Sequence, residues 1–307
     1  MSSEHDELSH HGIDDSRKKT FLNDTHRILL NRSSCRSFEN RAVPEEVLSA
    51  VLEAGTRAAT GGNLQPYSII KIQKPETKKR LAELNEDQSF IETAPVDLVF
   101  CLDWRRLGRW ASLERAPFTA DRSFRHFWIS FQDTIIAAQS ICTAADSVGL
   151  GSVYVGTIID RLREHRQILQ LPAGIFPVVL LSLGYPKFRP ATKKKLGPSS
   201  IVHDEVYRDA SDDDLRHMFE EKYPGWKKEA TPERLEEISQ VCKLVGGERL
   251  AQECVERIKE NGYINAAQNY FGLVYRADLM PQGNEEYLDL MREFGFAWFE
   301  NYSPPGM

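Results

Sequence analysis

An α/β or α+β layered core is the fold class this sequence predicts, and three observations lead there. Residues 96–102 and 177–184 are nearly continuous apolar runs of strand length, so they read as buried strands. Residues 129–148 form the longest helical pattern, apolar at Ile129, Ile135, Ile136, Ala138 and Ile141. Strands separated by helices pack as layers around one core. The chain has 307 residues with 41% apolar and 27% charged, which suits a folded chain of one large or two modest domains.

In chain order, residues 1–22 are polar and nearly free of large apolar side chains, so a disordered leader is expected. His10 and His11 lie in it and read as part of a solvated tail. Residues 44–53 carry Val47, Leu48, Val51 and Leu52 at helical spacing, with Pro44 at the start. Residues 67–72 are a short β-branched run after a Gly-Gly-Asn turn. The pattern of 129–148 stops at Gly149, where a helix end favours glycine, and 160–169 reads as a further short helix. Three segments are therefore expected: the leader 1–22, a main domain 23–210 and a helical extension 211–307. In the extension, Ser211 before three aspartates and Thr231-Pro232-Glu233 are helix starts. Gly246-Gly247 and Asn261-Gly262 are stops, and 285–301 is amphipathic.

A net charge of −6 and a pI of about 5.8 argue against a dedicated nucleic-acid binder. No apolar run reaches the roughly 18 residues of a membrane span. Five cysteines without a C-x-x-C pair fit neither a disulfide framework nor a zinc site. With no secretory signal visible, a cytoplasmic protein without a metal centre is expected.

Four clusters carry possible chemistry. In Arg32-Ser33-Ser34-Cys35-Arg36-Ser37-Phe38, two guanidiniums with hydroxyls between them suit one phosphate, although a solvated basic turn has the same local pattern. Cys35 lies between the arginines, which favours a thiolate, and its place in the cluster favours a structural role instead. In Thr60-Gly61-Gly62-Asn63-Leu64-Gln65-Pro66-Tyr67, the glycines allow close backbone approach, and Asn63 and Gln65 suit the edge of a heterocycle. An ordinary turn before a strand is the alternative. Gly149-Leu150-Gly151-Ser152 follows a long helix and precedes a strand, the reverse of a dinucleotide-binding loop. Lys193-Lys194-Lys195 follows Gly184-Tyr185-Pro186.

In this order the four clusters resemble the nitroreductase family of FMN-dependent NAD(P)H oxidoreductases. Arg32, Ser34, Arg36 and Phe38 match its Arg-x-Ser-x-Arg/Lys-x-Phe start, and Asn63, Gln65, Pro66 and Tyr67 match its Asn-x-Gln-Pro-aromatic motif. The central helix ending in Gly-Leu-Gly-Ser matches residues 133–152. Gly184-Tyr185-Pro186, Lys193, Lys195 and Ile201-Val202-His203 look like its closing pattern. The resemblance covers about residues 26–208.

The resemblance implies an α+β fold: a mostly antiparallel sheet wrapped by helices, here with a helical C-terminal extension outside the minimal fold. It implies an intertwined homodimer with FMN at the interface. Arg32, Ser34, Arg36, Lys193 and Lys195, with Ser33 beside them, are expected to hold the phosphate, ribityl and pyrimidine groups. Thr60, Gly61 and Asn63 are expected to reach the flavin from the partner chain, with Gln65 in the same motif. Tyr154-Val155-Gly156 is expected near flavin N5, donating a backbone N–H. No catalytic side chain is implied, because the flavin carries the hydride from NADH or NADPH to a small nitroaromatic, quinone-like or flavin oxidant. Reductive dehalogenation, flavin fragmentation and a non-catalytic FMN carrier or scaffold are the alternatives. Val155 stands where some members carry Glu. Asp87 and Gln88 are the nearest candidates for a contact that some members supply after the second motif.

Residues 103–127 hold six arginines against three acids, interleaved with Trp104, Trp110, Phe118, Phe124 and Phe127. Guanidiniums beside rings suit a planar anion, so Trp104, Arg105, Arg109 and Trp110 are expected to bind substrate. An amphipathic helix with packed rings and solvated arginines is the other reading.

Overall fold

The computed structural model describes residues 21–303. The expected leader therefore lies outside the described residues except for its last two positions, and so do His10 and His11. Four strands form one sheet: β1 (Tyr67–Ile72), β2 (Val96–Asp103), β3 (Gly151–Val155) and β4 (Ile175–Gly184), in the order β1-β2-β4-β3. Every pairing is antiparallel. All of β2 is buried, flanked by β1 and β4 with the helix Phe124–Ser147 packed on it, and its near-continuous apolar run fits that burial.

The helices before β2 are α1 (Asp24–Asn31), α2 (Glu45–Thr56), α3 (Pro75–Leu84) and α4 (Ser89–Thr93). Then come α5 (Arg105–Leu113), the long α6 (Phe124–Ser147) and α7 (Leu162–Leu169). The Ser123 side chain caps α6, and Gly149 beyond its end is left-handed at φ 85°. The buried stripe of α6 runs through Ser130, Asp133, Thr134, Ala137, Ala138, Ile141, Cys142 and Ala145. Ile135 and Ile136, read in sequence as part of that stripe, are exposed instead. Small residues let α6 lie close to the sheet, and the larger isoleucines point away.

The chain divides into two compact units, and the division differs from the expected boundary at 210/211. One unit holds Lys193–Asn284; the other holds the described chain up to Thr192 and takes it up again at Glu285. The first unit contains α8 (Pro198–Ile201), α9 (Asp212–Lys222), α10 (Pro232–Asn261) and α11 (Ala266–Asn269). Ser211 and Thr231 cap α9 and α10 as their sequence signals require. The expected stop at Gly246-Gly247 is a break inside α10, where Gly247 leaves helical geometry at φ 77°. Ile238, Ile258 and Ile264 form this unit's core.

The last helix, α12 (Asn284–Glu293), brings Leu290, Met291, Phe294 and Phe296 into the core of the larger unit. Phe294 meets Phe176 of β4 edge to face at 5.2 Å, and Phe296 meets Phe127 of α6 at 5.5 Å. Residues 285 onward thus belong with the sheet, because their large apolar side chains are buried there. Among the described residues no helix is long and apolar enough to cross a membrane.

Candidate active site

Residues 34–38 run along the sheet margin. Cys35 N–H donates to Ser152 O at 2.9 Å, and Glu39 N–H donates to Tyr185 O at 2.8 Å. A Cβ at Gly151 would stand 2.7 Å from Cys35 Cβ, so glycine is what permits this approach. The first and third sequence clusters thereby meet. The Arg32 guanidinium lies 5.6 Å from the centre of the Tyr154 ring.

Arg32 Nε and Nη2 are buried without a hydrogen-bond partner, and so is Ser33 Oγ. Leaving polar groups buried and unpaired is costly, and charged donors cost most. A ligand that brings acceptor oxygens against Arg32 and Ser33 would satisfy all three atoms, with charge-assisted bonds to the guanidinium. Ser34 bridges to Ser152, and Arg36 is exposed, its guanidinium 5.9 Å from the Phe90 ring centre.

The second cluster folds as a strained loop. Gly62, Asn63 and Gln65 have φ of 58°, 55° and 51°, a left-handed conformation that glycine and asparagine tolerate best. Asp133, buried on α6, holds the loop's start: its Oδ2 accepts from the Thr60 hydroxyl at 2.8 Å and from Gly61 N–H at 3.0 Å. The Gln65 amide donates to Thr56 O at 3.0 Å and to Tyr67 Oη at 3.3 Å. Sequence reasoning gave Thr60 and Gln65 to a ligand; in the structure their side chains also hold the loop itself. Gly61 and Asn63 are exposed.

Arg106 secures the far end. It donates to Gln65 O at 2.5 Å, Tyr67 O at 2.9 Å and Ser68 Oγ at 3.1 Å. Asp103, buried at the end of β2, pairs with Arg106 and accepts from Ser68. Sequence reasoning missed Asp103, Arg106 and Asp133 as loop anchors. One usable signal existed: Asp133 is a carboxylate in the buried stripe of a helix, where a charge needs a partner.

Tyr154 and Val155 end β3. Tyr154 is half-buried, Val155 is buried, and Gly156 is exposed with nothing within 4 Å of where a Cβ would stand. The next residue, Thr157, accepts a hydrogen bond from the Gln88 amide at 3.1 Å. Lys193 and Lys195 are exposed and belong to the unit Lys193–Asn284.

Of the four residues expected to meet substrate, Arg105, Arg109 and Trp110 are exposed on α5. Trp104 is buried, its indole N–H donating to Ser130 Oγ at 3.1 Å and its ring packed on Phe118 and His126. It acts as a core wedge under α5, a placement that belongs to the packed-ring reading. Cys35 differs as well: burial pushes its thiol up, outweighing its hydrogen bond to Ser37 and the charge of Arg189. The arginines beside it in sequence do not make it a thiolate.

Comparison with known proteins places these features. The model of the nitroreductase family matches residues 29–185. The FMN reductase (NADPH) of Bacillus subtilis is 30% identical over 200 residues, covering 64% of this chain and 80% of that protein. The NADPH-flavin oxidoreductase of Vibrio harveyi is 28% identical over 230 residues, covering 74% of this chain and 94% of that protein. The solved structure of B. megaterium NfrA2 superposes with a TM-score of 0.70 at 25% identity, covering 91% of this chain and all of that one. Most of the segment after residue 210 therefore has a counterpart there and is no private addition. The sheet, the motif at its margin and the matched residues lead to one assignment: the chain belongs to the nitroreductase family.

Proposed function

We propose that this protein is an FMN-dependent NAD(P)H oxidoreductase that passes electrons to a small nitroaromatic, quinone-like or flavin acceptor in two half-reactions at one open face. The observation that carries this reading is the buried, unpartnered set of Arg32 Nε, Arg32 Nη2 and Ser33 Oγ within the family's first motif. These donors fit the acidic and carbonyl oxygens of FMN. Bound FMN supplies the hydride chemistry, taking two electrons from NADH or NADPH and yielding them to the acceptor.

The chain's own residues bind and orient. Arg32 and Ser33 fix the cofactor's oxygens, with Ser34 and Arg36 beside them. The exposed Gly156 leaves backbone open where an N–H is to meet the flavin ring. Asp133, Asp103 and Arg106 hold the loop 60–65, whose exposed tip is free to reach a second copy's cofactor. A homodimer fits the exposed apolar side chains Leu29, Ile135 and Ile136 on α1 and α6, and an open groove of about 420 Å³ between those helices. Arg105, Arg109 and Trp110 on α5 are the proposed contacts for an anionic aromatic substrate.

The test is the visible spectrum of the purified protein, before and after anaerobic addition of NADH or NADPH. Flavin bands that bleach with one nucleotide establish the activity and its donor. A colourless protein that takes up no added FMN overturns the reading.

A further inference from the structure

A buried chain of hydrogen bonds runs behind the Gly156–Thr157 turn. The Gln88 amide donates to Thr157 Oγ1 at 3.1 Å, and the Thr157 hydroxyl donates to Asn85 Oδ1 at 2.9 Å. The Asn85 amide donates to Leu81 O at 2.8 Å and lies 3.0 Å from His165 Nε2. Asn85 and His165 are fully buried, and Thr157 and Gln88 partly so.

Donor counting fixes the direction of every bond. The Asn85 Nδ2 must donate to the Leu81 carbonyl, which has no proton to give. Its second N–H is then aimed at His165 Nε2, so that nitrogen must accept and carries no proton. The imidazole is neutral with its proton on Nδ1, which is buried without a full partner and has only the Arg161 carbonyl to favour a proton there. Burial also holds the imidazole below its usual pKa, outweighing Glu164. At the other end, Asn85 Oδ1 takes the Thr157 proton, so Thr157 Oγ1 has lone pairs for Gln88. One of the two Gln88 amide protons is thus committed, which sets which way that side chain faces.

We propose that Asn85, Thr157 and His165 are positioning residues for the cofactor, a one-directional relay that aligns the Gln88 amide and the Gly156–Thr157 turn for the flavin. None of the three needs to touch the flavin. The inference rests on the reading that Gly156 faces FMN. The relay begins at a side chain in the α3–α4 connection, ends at a histidine on α7, and includes Thr157, the residue after the open Gly156.

The test compares Thr157→Val with Thr157→Ser by FMN titration of the apoprotein, followed by flavin fluorescence. Valine keeps the shape and removes both hydrogen bonds, while serine keeps the hydroxyl. Losing a buried hydrogen-bond partner costs about 1–3 kcal/mol, so the Kd for FMN is expected to rise roughly five- to hundredfold in Thr157→Val. Thr157→Ser should stay close to wild type. In the same protein, nitrogen-15 NMR should find His165 neutral and protonated at Nδ1 at pH 7, and doubly protonated in Asn85→Asp, whose carboxylate wants a donor.

Equal FMN affinity in the valine and serine variants overturns the inference, as does wild-type His165 protonated at Nε2. Two variants equally weakened also overturn it, because packing and not the hydroxyl would then matter. A wild-type protein that takes up no FMN is a different failure: it removes the functional reading itself, while the His165 tautomer still reports whether the relay exists.

Discussion

Arg32 carries a charge that the chain by itself leaves partly unpaired. Two of its nitrogens and the neighbouring Ser33 hydroxyl are buried and unpaired. The apoprotein therefore bears a desolvation cost that the cofactor would relieve. Arg32→Ala should weaken FMN binding about ten- to hundredfold, the value of one or two charge-assisted hydrogen bonds, measured by FMN titration. Its apoprotein should melt no lower than wild type, because an unsatisfied charge has been removed. A variant that loses apoprotein stability and keeps its FMN affinity would show Arg32 to be structural. The motif that contains Arg32 and Ser33 was legible in sequence because it is local. Asp133 and Asn85 were not, since their partners lie 72 to 80 residues away in the chain.

Among the elements, β2 carries the most consequential burial. Asp97 sits in this central strand with no exposure, accepts from the Ser182 hydroxyl of β4, and leaves its Oδ2 unpaired. Burial pushes its carboxyl up to about 7, against smaller opposing effects from Ser182 and Lys78. The folded state thus holds this proton more tightly than the unfolded chain, whose Asp titrates near about 4. The resulting stability is fully present below pH 4 and is lost as pH rises through about 7. The gap between these two values sets an upper bound of about 4 kcal/mol. Asp97→Asn should flatten the dependence of Tm on pH between 5 and 8 and melt higher than wild type at pH 8. An unchanged slope would show that Asp97 is not its source. The same strand reads in sequence as an apolar buried run, so the run was legible and the cost of the carboxylate inside it, Asp97, was not.

At the scale of the molecule, the chain returns to the larger unit after building the unit Lys193–Asn284. Phe294 and Phe296 are fully buried in the sheet's core, although they come from the last tenth of the sequence. Arg163 of α7 pairs with Glu286 and Glu293, and Arg166 donates to Glu293 O at 2.6 Å, so the returning segment is also tied down by polar contacts. Ending the chain after Gly283 should leave an aggregating or partly unfolded protein, assessed by solubility and circular dichroism. Phe294→Ala should cost about 3–5 kcal/mol of stability in denaturant unfolding. A truncated protein that folds and melts like the full chain would restore the simpler division at residue 210.

The sequence by itself determined several of the strands and helix starts, and where the family's first motif lies. Continuous apolar runs, caps and turn residues act within a few positions of each other, so 67–72 and the caps at Ser211 and Thr231 were readable directly. The order of four short motifs also carried the family. Only the tertiary structure decided what those motifs touch. It moved Thr60 and Gln65 into the frame of their own loop, put Trp104 in the core, and joined residues 285 onward to the sheet. It also left Ile135 and Ile136 facing out on a helix whose period had placed them inside. The physical reason is the same in each case. Periodicity states that a face is apolar or a group polar, but which partner satisfies it depends on residues brought near by folding, often more than 70 positions away.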